Sequence, residues 1–79
     1  MNGIEWEIKC PIGNGKRTIE KSYHKAALQS KNIIFDLRRI SLPEKLAITQ
    51  LEREFNDKHT IRLLVITKAG DLLEYPEKP

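Results

Sequence analysis

The run Ile33-Ile34-Phe35, bounded by Asn32 and Asp36, limits the fold more than any other feature of the chain. A short continuous apolar run of this kind reads as a central strand covered on both faces. On each side of it a stretch with apolar residues at helical spacing separates it from the next strand-like segment. A strand, a helix and another strand in that order favour a parallel pair joined by a right-handed crossover. The first strand-like segment, Ile4 to Cys10, alternates strictly. Ile4, Trp6, Ile8 and Cys10 share one face, and Glu5, Glu7 and Lys9 share the other. The apolar face is the one expected to need helices or a partner to shield it from water.

Pro11 ends that strand, and Gly13-Asn14-Gly15 forms a turn before a helix predicted from about Thr18 to Lys31. Ile19, Tyr23, Ala26, Ala27 and Ser30 fall on its inward stripe, while Arg17, Lys21, His24, Lys25 and Leu28 face away. Ser41-Leu42-Pro43-Glu44 reads as a capping box opening a second helix to about Asn56. Its inward stripe is Ala47 or Ile48, then Leu51 and Phe55. Ile61 to Thr67 is the strongest strand signal, and Lys68-Ala69-Gly70-Asp71 turns it into Leu72-Leu73-Glu74-Tyr75 as a hairpin. The order is therefore β-α-β-α-β-β, an α/β fold with a mixed four-stranded sheet and two helices. The sequence leaves open whether the helices cover one face or both. Residues 1–75 are expected to form one small domain, with 76–79 as a flexible tail.

A chain of 79 residues buries only about 60% of its unfolded surface, so a large cleft between two domains is excluded. With 39% hydrophobic and 32% charged residues it is a folded chain and not a disordered one. No apolar stretch approaches the ~18 residues that a membrane span needs. Nothing at the N-terminus reads as a signal peptide. The single Cys10 has no thiol partner, which fits a reducing, cytoplasmic site of action. Charge is unevenly distributed. From Lys16 to Lys31, Lys16, Arg17, Lys21, Lys25 and Lys31 stand against Glu20 alone, whereas acids outnumber bases from Leu42 to Asp57. A basic stripe on one element is the footprint of a polyanion binder, and also of a merely solvated face.

The sharpest local feature is Glu7-Ile8-Lys9, which projects a carboxylate and an ammonium side by side from one strand face. In a metal-assisted phosphodiester hydrolase, Glu7 would hold Mg²⁺ or another divalent cation. Lys9 would orient water or steady the charge growing on the phosphate. The same residues also read as a solvent-facing ladder of opposite charges. Gly13-Asn14-Gly15-Lys16 lacks the spacing of a Walker loop, since Cys10 and Arg17 stand where Gly and Ser or Thr are needed. A glycine turn running into a helix start can still offer backbone N–H groups to one phosphate, with Lys16, Arg17 and Thr18 beside it. His24 could act as a general base in a metal-independent ribonuclease or be a plain surface histidine. Arg38 and Arg39 are placed to touch phosphate, unless Asp36 pairs with one of them.

The run from Gly3 to Lys16, then Ala26 to Arg39, and on through Ile61 to Tyr75, resembles the C-terminal nuclease domain of contact-dependent growth inhibition toxins. Similar domains end some phage head-associated proteins. The likeness rests on Trp6-Glu7-Ile8-Lys9, the glycine turn, Gln29-Ser30 before the strand and Asp36-Leu37-Arg38 after it. It implies a toxin-type nuclease cleaving RNA, most often transfer RNA. Glu7, Lys9 and Gln29 would form the catalytic set, and Lys16, Thr18 and Arg38 would hold substrate beside Arg17, Lys21 and Lys25 of the basic stripe.

The element order also looks like the core of the PD-(D/E)xK nucleases, which carry an acidic residue on a preceding strand. Here Met1 and Asn2 are all that precede Gly3. The chain is therefore expected to be either a piece of a longer toxin or a short form lacking a metal ligand. In the second case it would be a catalytically dead module that binds nucleic acid or an immunity protein. An inhibitor protein or a second copy is the expected protein partner, pairing with the exposed edge of the first strand. The expected setting is a delivered toxin or a phage particle.

Overall fold

A computed structural model describes residues 5–13, 15 and 17–76. The elements run β1 (Glu7–Lys9), α1 (Thr18–Gln29), β2 (Asn32–Asp36), α2 (Glu44–Lys58), β3 (Arg62–Ile66) and β4 (Leu72–Tyr75). The four strands form one sheet in the order β1-β2-β3-β4. β1 and β3 both lie parallel to β2, and β4 returns antiparallel to β3. The expected mixed sheet with two helices is therefore the observed fold. Ile4, Asn14 and Lys16, and residues 77–79 of the expected tail, lie outside the described residues.

Both crossovers are one strand wide and run in the same direction, so right-handed connections bring both helices to the same face. The two helices pack on each other, and α1 packs on β1 and β2. Ile33 and Phe35 of β2 and Leu63 and Val65 of β3 point to that face and are fully buried. Ile19, Tyr23 and Ala26 of α1 and Ala47 and Leu51 of α2 meet them. Each fully buried large aliphatic or aromatic side chain contributes roughly 1.5–3 kcal/mol. The opposite face carries Ile8, Ile34, Leu64, Ile66 and Leu72, and there Ile8 is 64% and Leu72 57% exposed. Among the described residues the helices thus cover β2 on one face only, because both connections step the same way.

Three local details differ from the sequence expectations. α1 stops at Gln29, where Ser30 turns extended and its Oγ donates to the carbonyl of Glu5, two residues ahead of β1. No capping box forms. Pro43 occupies the N-cap of α2 without a side-chain bond, and the Ser41 N–H donates to the carbonyl of Gly13. Glu44 instead accepts from the backbone N–H of Lys68 at 2.6 Å, tying α2 to the β3–β4 turn. Third, the inward stripe of α2 includes Glu54, which is only 7% exposed. The β3–β4 turn is as expected. Gly70 takes φ +93°, and its N–H bonds the carbonyl of Thr67.

Tyr23 joins the layers. Its ring stacks on Phe35 with centroids 5.6 Å apart, and its hydroxyl lies 2.6 Å from Oγ1 of the buried Thr60. Burial raises the Tyr23 pKa. Replacing Tyr23 by Phe leaves the Thr60 hydroxyl buried without its partner and should cost about 1–3 kcal/mol in urea unfolding. Tyr23→Ala also leaves a cavity and should cost roughly 3–5 kcal/mol. Equal stability of the Phe variant and the parent would contradict the role given to this bond.

Glu54 gives a second prediction. Desolvation raises its pKa in the folded state, with Lys58 partly opposing, so the folded chain binds that proton more tightly than the unfolded chain does. Stability tied to Glu54 is therefore greatest at low pH and falls as pH rises from its unfolded to its folded pKa. Glu54→Gln should raise Tm at neutral pH and leave it unchanged near pH 3.

Candidate functional site

The register Glu7↔Ile33 and Lys9↔Phe35 decides where the charged pair goes. Partners in adjacent parallel strands point to the same face, so Glu7 and Lys9 share the helix-covered face with the buried Ile33 and Phe35. The alternation of β1 is as expected, but its orientation is the reverse of the one hydrophobicity favours. Ile8 faces outward, while Glu7 and Lys9 face α1. Lys9 Nζ lies 3.4 Å from Glu7 Oε2, with the side chains only 28% and 31% exposed. This is not a fully solvated ladder of charges.

Two hydrogen bonds fix the start of this edge strand. Ser30 Oγ donates to the carbonyl of Glu5 at 2.8 Å, and Asn32 Nδ2 donates to the same oxygen at 3.3 Å. The Asn32 backbone N–H donates to Ser30 Oγ, so the hydroxyl is oriented from both sides. At the other end Gly13, with φ +115°, bridges to Ile40 and accepts from Ser41. A side chain at Gly13 would meet backbone strain even though the space is open. The Gln29-Ser30 pair therefore has a definite structural task. Its serine ties the segment leading into β1 to the start of β2.

Helical spacing sorts α1 into three strips around its buried line Ile19, Tyr23 and Ala26. Glu20 turns to α2, where it lines a groove with Gln50, Arg53 and Glu54. The opposite flank, carrying Thr18, Ser22 and Gln29, overhangs β1. Lys21 and Lys25 ride on the exposed crest. Thr18 and Gln29 share the flank of α1 nearest Glu7 and Lys9, but eleven residues, about 16 Å, separate them along the helix, and Gln29 is exposed. Arg17 stands at the helix start with its Nε on Glu20 Oε1 at 3.1 Å. His24 lies away from the Glu7 side, toward α2.

Arg38 is held elsewhere. Asp36 leaves β2 on the face opposite Phe35, and the Arg38 guanidinium grips it with Nε at 3.0 Å from Oδ1 and Nη2 at 2.8 Å from Oδ2. The Arg38 backbone N–H completes the loop onto Oδ1. These bonds hold the Asp36 carboxyl below its usual range and raise the Arg38 pKa. Asp36 thus claims Arg38 at the open-face rim of the sheet, away from Glu7 and Lys9. A phosphate there would have to share the guanidinium with Asp36.

Among the described residues no group of three or more His, Cys, Asp or Glu side chains is placed to hold a metal ion. Glu7 offers a carboxylate, with Lys9 beside it. One carboxylate is fewer donors than the chain would need to hold a divalent cation alone. No helix is long and apolar enough to cross a membrane.

The family model of the contact-dependent growth inhibition CdiA C-terminal domain matches residues 1–72. The chain belongs to that family and is a toxin module of the kind delivered into target cells. No curated protein and no solved structure gives a significant match.

The Asp36–Arg38 lock yields a prediction. Because the folded pKa of Asp36 is depressed, its contribution to stability is present above the unfolded carboxyl pKa and is lost as pH falls through the folded one. Arg38→Ala should return the Asp36 carboxyl toward its ordinary range in a ¹³C-detected titration. An unmoved midpoint would show that Arg38 does not hold it.

Proposed function

We propose that this toxin module is a nuclease that cleaves RNA, with transfer RNA as the substrate, and that its centre is the Glu7–Lys9 pair with Gln29 and Thr18 on the nearest flank of α1. The observation that carries this reading is the orientation of the pair. An edge strand that turned its apolar side to the helices would leave Glu7 and Lys9 in water. Instead they are held together, two-thirds covered, beneath a helix whose exposed crest is basic. Partial removal of water strengthens what such charges can do to a phosphate.

In this reading Lys9 orients the attacking water and steadies the charge that grows on the phosphoryl oxygens. Gln29 supplies amide hydrogen bonds from the last turn of α1. Thr18, Arg17, Lys21 and Lys25 draw the RNA backbone across α1; Lys16 adds positive charge, and Arg38, held by Asp36, would meet phosphate only by sharing its guanidinium. A divalent cation such as Mg²⁺, carried in with the substrate onto Glu7, would polarise a phosphoryl oxygen. The Glu-x-Lys spacing on a strand followed by a helix and a parallel strand supports kinship with the PD-(D/E)xK core, and with the nuclease modules of phage head-associated proteins. The free edge of β1 is where an immunity protein or a second copy would add a strand.

The second reading is a silent module that binds RNA or an immunity protein, in which the 3.4 Å Glu7–Lys9 contact is a structural ion pair and nothing more. Purified protein incubated with transfer RNA and with total RNA, with Mg²⁺ and with chelator, separates the two. We expect discrete fragments with Mg²⁺, suppression by chelator, and a loss of about 10²-fold or more for Glu7→Gln and for Lys9→Ala. Intact RNA under all conditions would leave the silent module.

A further inference from the structure

On the flank of α1 away from Glu7 lies a shallow groove of about 420 Å³, lined by Arg17, Glu20, Lys21, His24, Lys25 and Lys58. Lys58 comes from the last turn of α2, so the groove exists only because the two helices pack side by side on one face of the sheet. Four of its six lining residues are Arg or Lys, and Glu20 is its single acid. Arg17 is engaged by Glu20 through Nε alone. Lys58 Nζ stands 3.9 Å from Glu54 Oε1, too far for a hydrogen bond, so the ammonium keeps its donors for another acceptor. Among the described residues the side chains of Lys21, His24 and Lys25 make no hydrogen bond or ion pair, so their donors face the groove unengaged. The walls are mostly carbon, formed by the stems of the long side chains.

We propose that this groove is a nucleotide subsite that takes one unpaired base of a single-stranded RNA segment, with its flanking phosphates on Lys21, Lys25 and Lys58. The inference rests on the RNA reading above and adds a second contact region to it. Carbon-rich walls accommodate the face of a base, and the planar His24 imidazole and Arg17 guanidinium are the groups on which unstacked bases lie. The cations at the rim account for the backbone. The volume is at the small end of ligand sites, which suits one nucleotide and not a duplex. An RNA strand leaving the groove over the crest at Lys21 and Lys25 crosses one helix width, about 10 Å, to reach the Glu7–Lys9 pair. That path demands an unpaired segment next to the cleaved bond. Loops of a folded RNA meet this demand and helical stems do not.

The test uses the full chain carrying Glu7→Gln, so that RNA survives, and anisotropy of a labelled single-stranded RNA of about twelve nucleotides. An abasic strand of the same length and charge is the comparison. We expect the RNA to bind several-fold tighter than the abasic strand. Lys58→Ala should weaken both by about 3–10-fold and flatten the logarithmic salt slope by somewhat under one unit. His24→Ala should remove most of the preference for RNA over the abasic strand. The proposal is overturned by equal binding of the two strands, by no binding of either, or by affinities that Lys58→Ala and His24→Ala leave unchanged. His24 is an exposed surface side chain, so its variant keeps the test open should Lys58→Ala unfold. Binding that behaves as expected, combined with no cleavage by the unaltered chain, would overturn the nuclease reading and leave the subsite standing.

Discussion

Ser30 and Asn32 both donate to the carbonyl of Glu5, and this clip sets the register of an edge strand only three residues long. Such a short strand has few ladder bonds of its own, and a slip of one residue would exchange its two faces. In the observed register Glu7 and Lys9 lie beside Ile33 and Phe35 on the helix side. The placement of Glu7 and Lys9 on the helix side and the outward-facing Ile8 both follow from that pairing. The far end is secured separately, through the bridge from Gly13 to Ile40 and the Ser41 bond.

A sheet covered on one face gives this small chain two different surfaces. The helix layer is polar and largely basic along α1, with charges that long side chains carry over a buried apolar line. The open face is rich in Ile and Leu, and its strongest polar feature is the Asp36–Arg38 lock at one end. Membership in the CdiA C-terminal family makes the chain a toxin module. The chemistry proposed for it belongs to the helix side, where charge, partial burial and grooves coincide.

Element order was legible in the sequence because period-two and period-3.6 patterns alternate cleanly around Ile33-Ile34-Phe35. The hairpin was legible because Gly70 supplies the positive φ its turn requires. Which face of β1 meets the helices was not legible. Alternation states which side chains travel together, and only pairing with a neighbour states where they go. Ser41 and Glu44 have the right spacing for a capping box, yet Ser41 is used by Gly13 and Glu44 by Lys68, partners remote in sequence. Glu7 and Lys9 were readable as a pair from their spacing. The grouping of Lys58 with His24 was not, since it depends on two helices lying side by side. The Asp36–Arg38 pairing was visible as an alternative, and its geometry decides for it.

The most direct test of the account is a ¹³C-edited nuclear Overhauser measurement on β1 in the labelled chain. The account predicts contacts from the side chains of Glu7 and Lys9 to Ile33, Phe35 and the methyl of Ala26, with Ile8 contacting Ile34 across the open face. Contacts from Ile8 to Ala26 or Phe35, with Glu7 and Lys9 giving none to the helix side, would show the opposite register and place the charged pair in water, removing the centre on which the proposed chemistry depends.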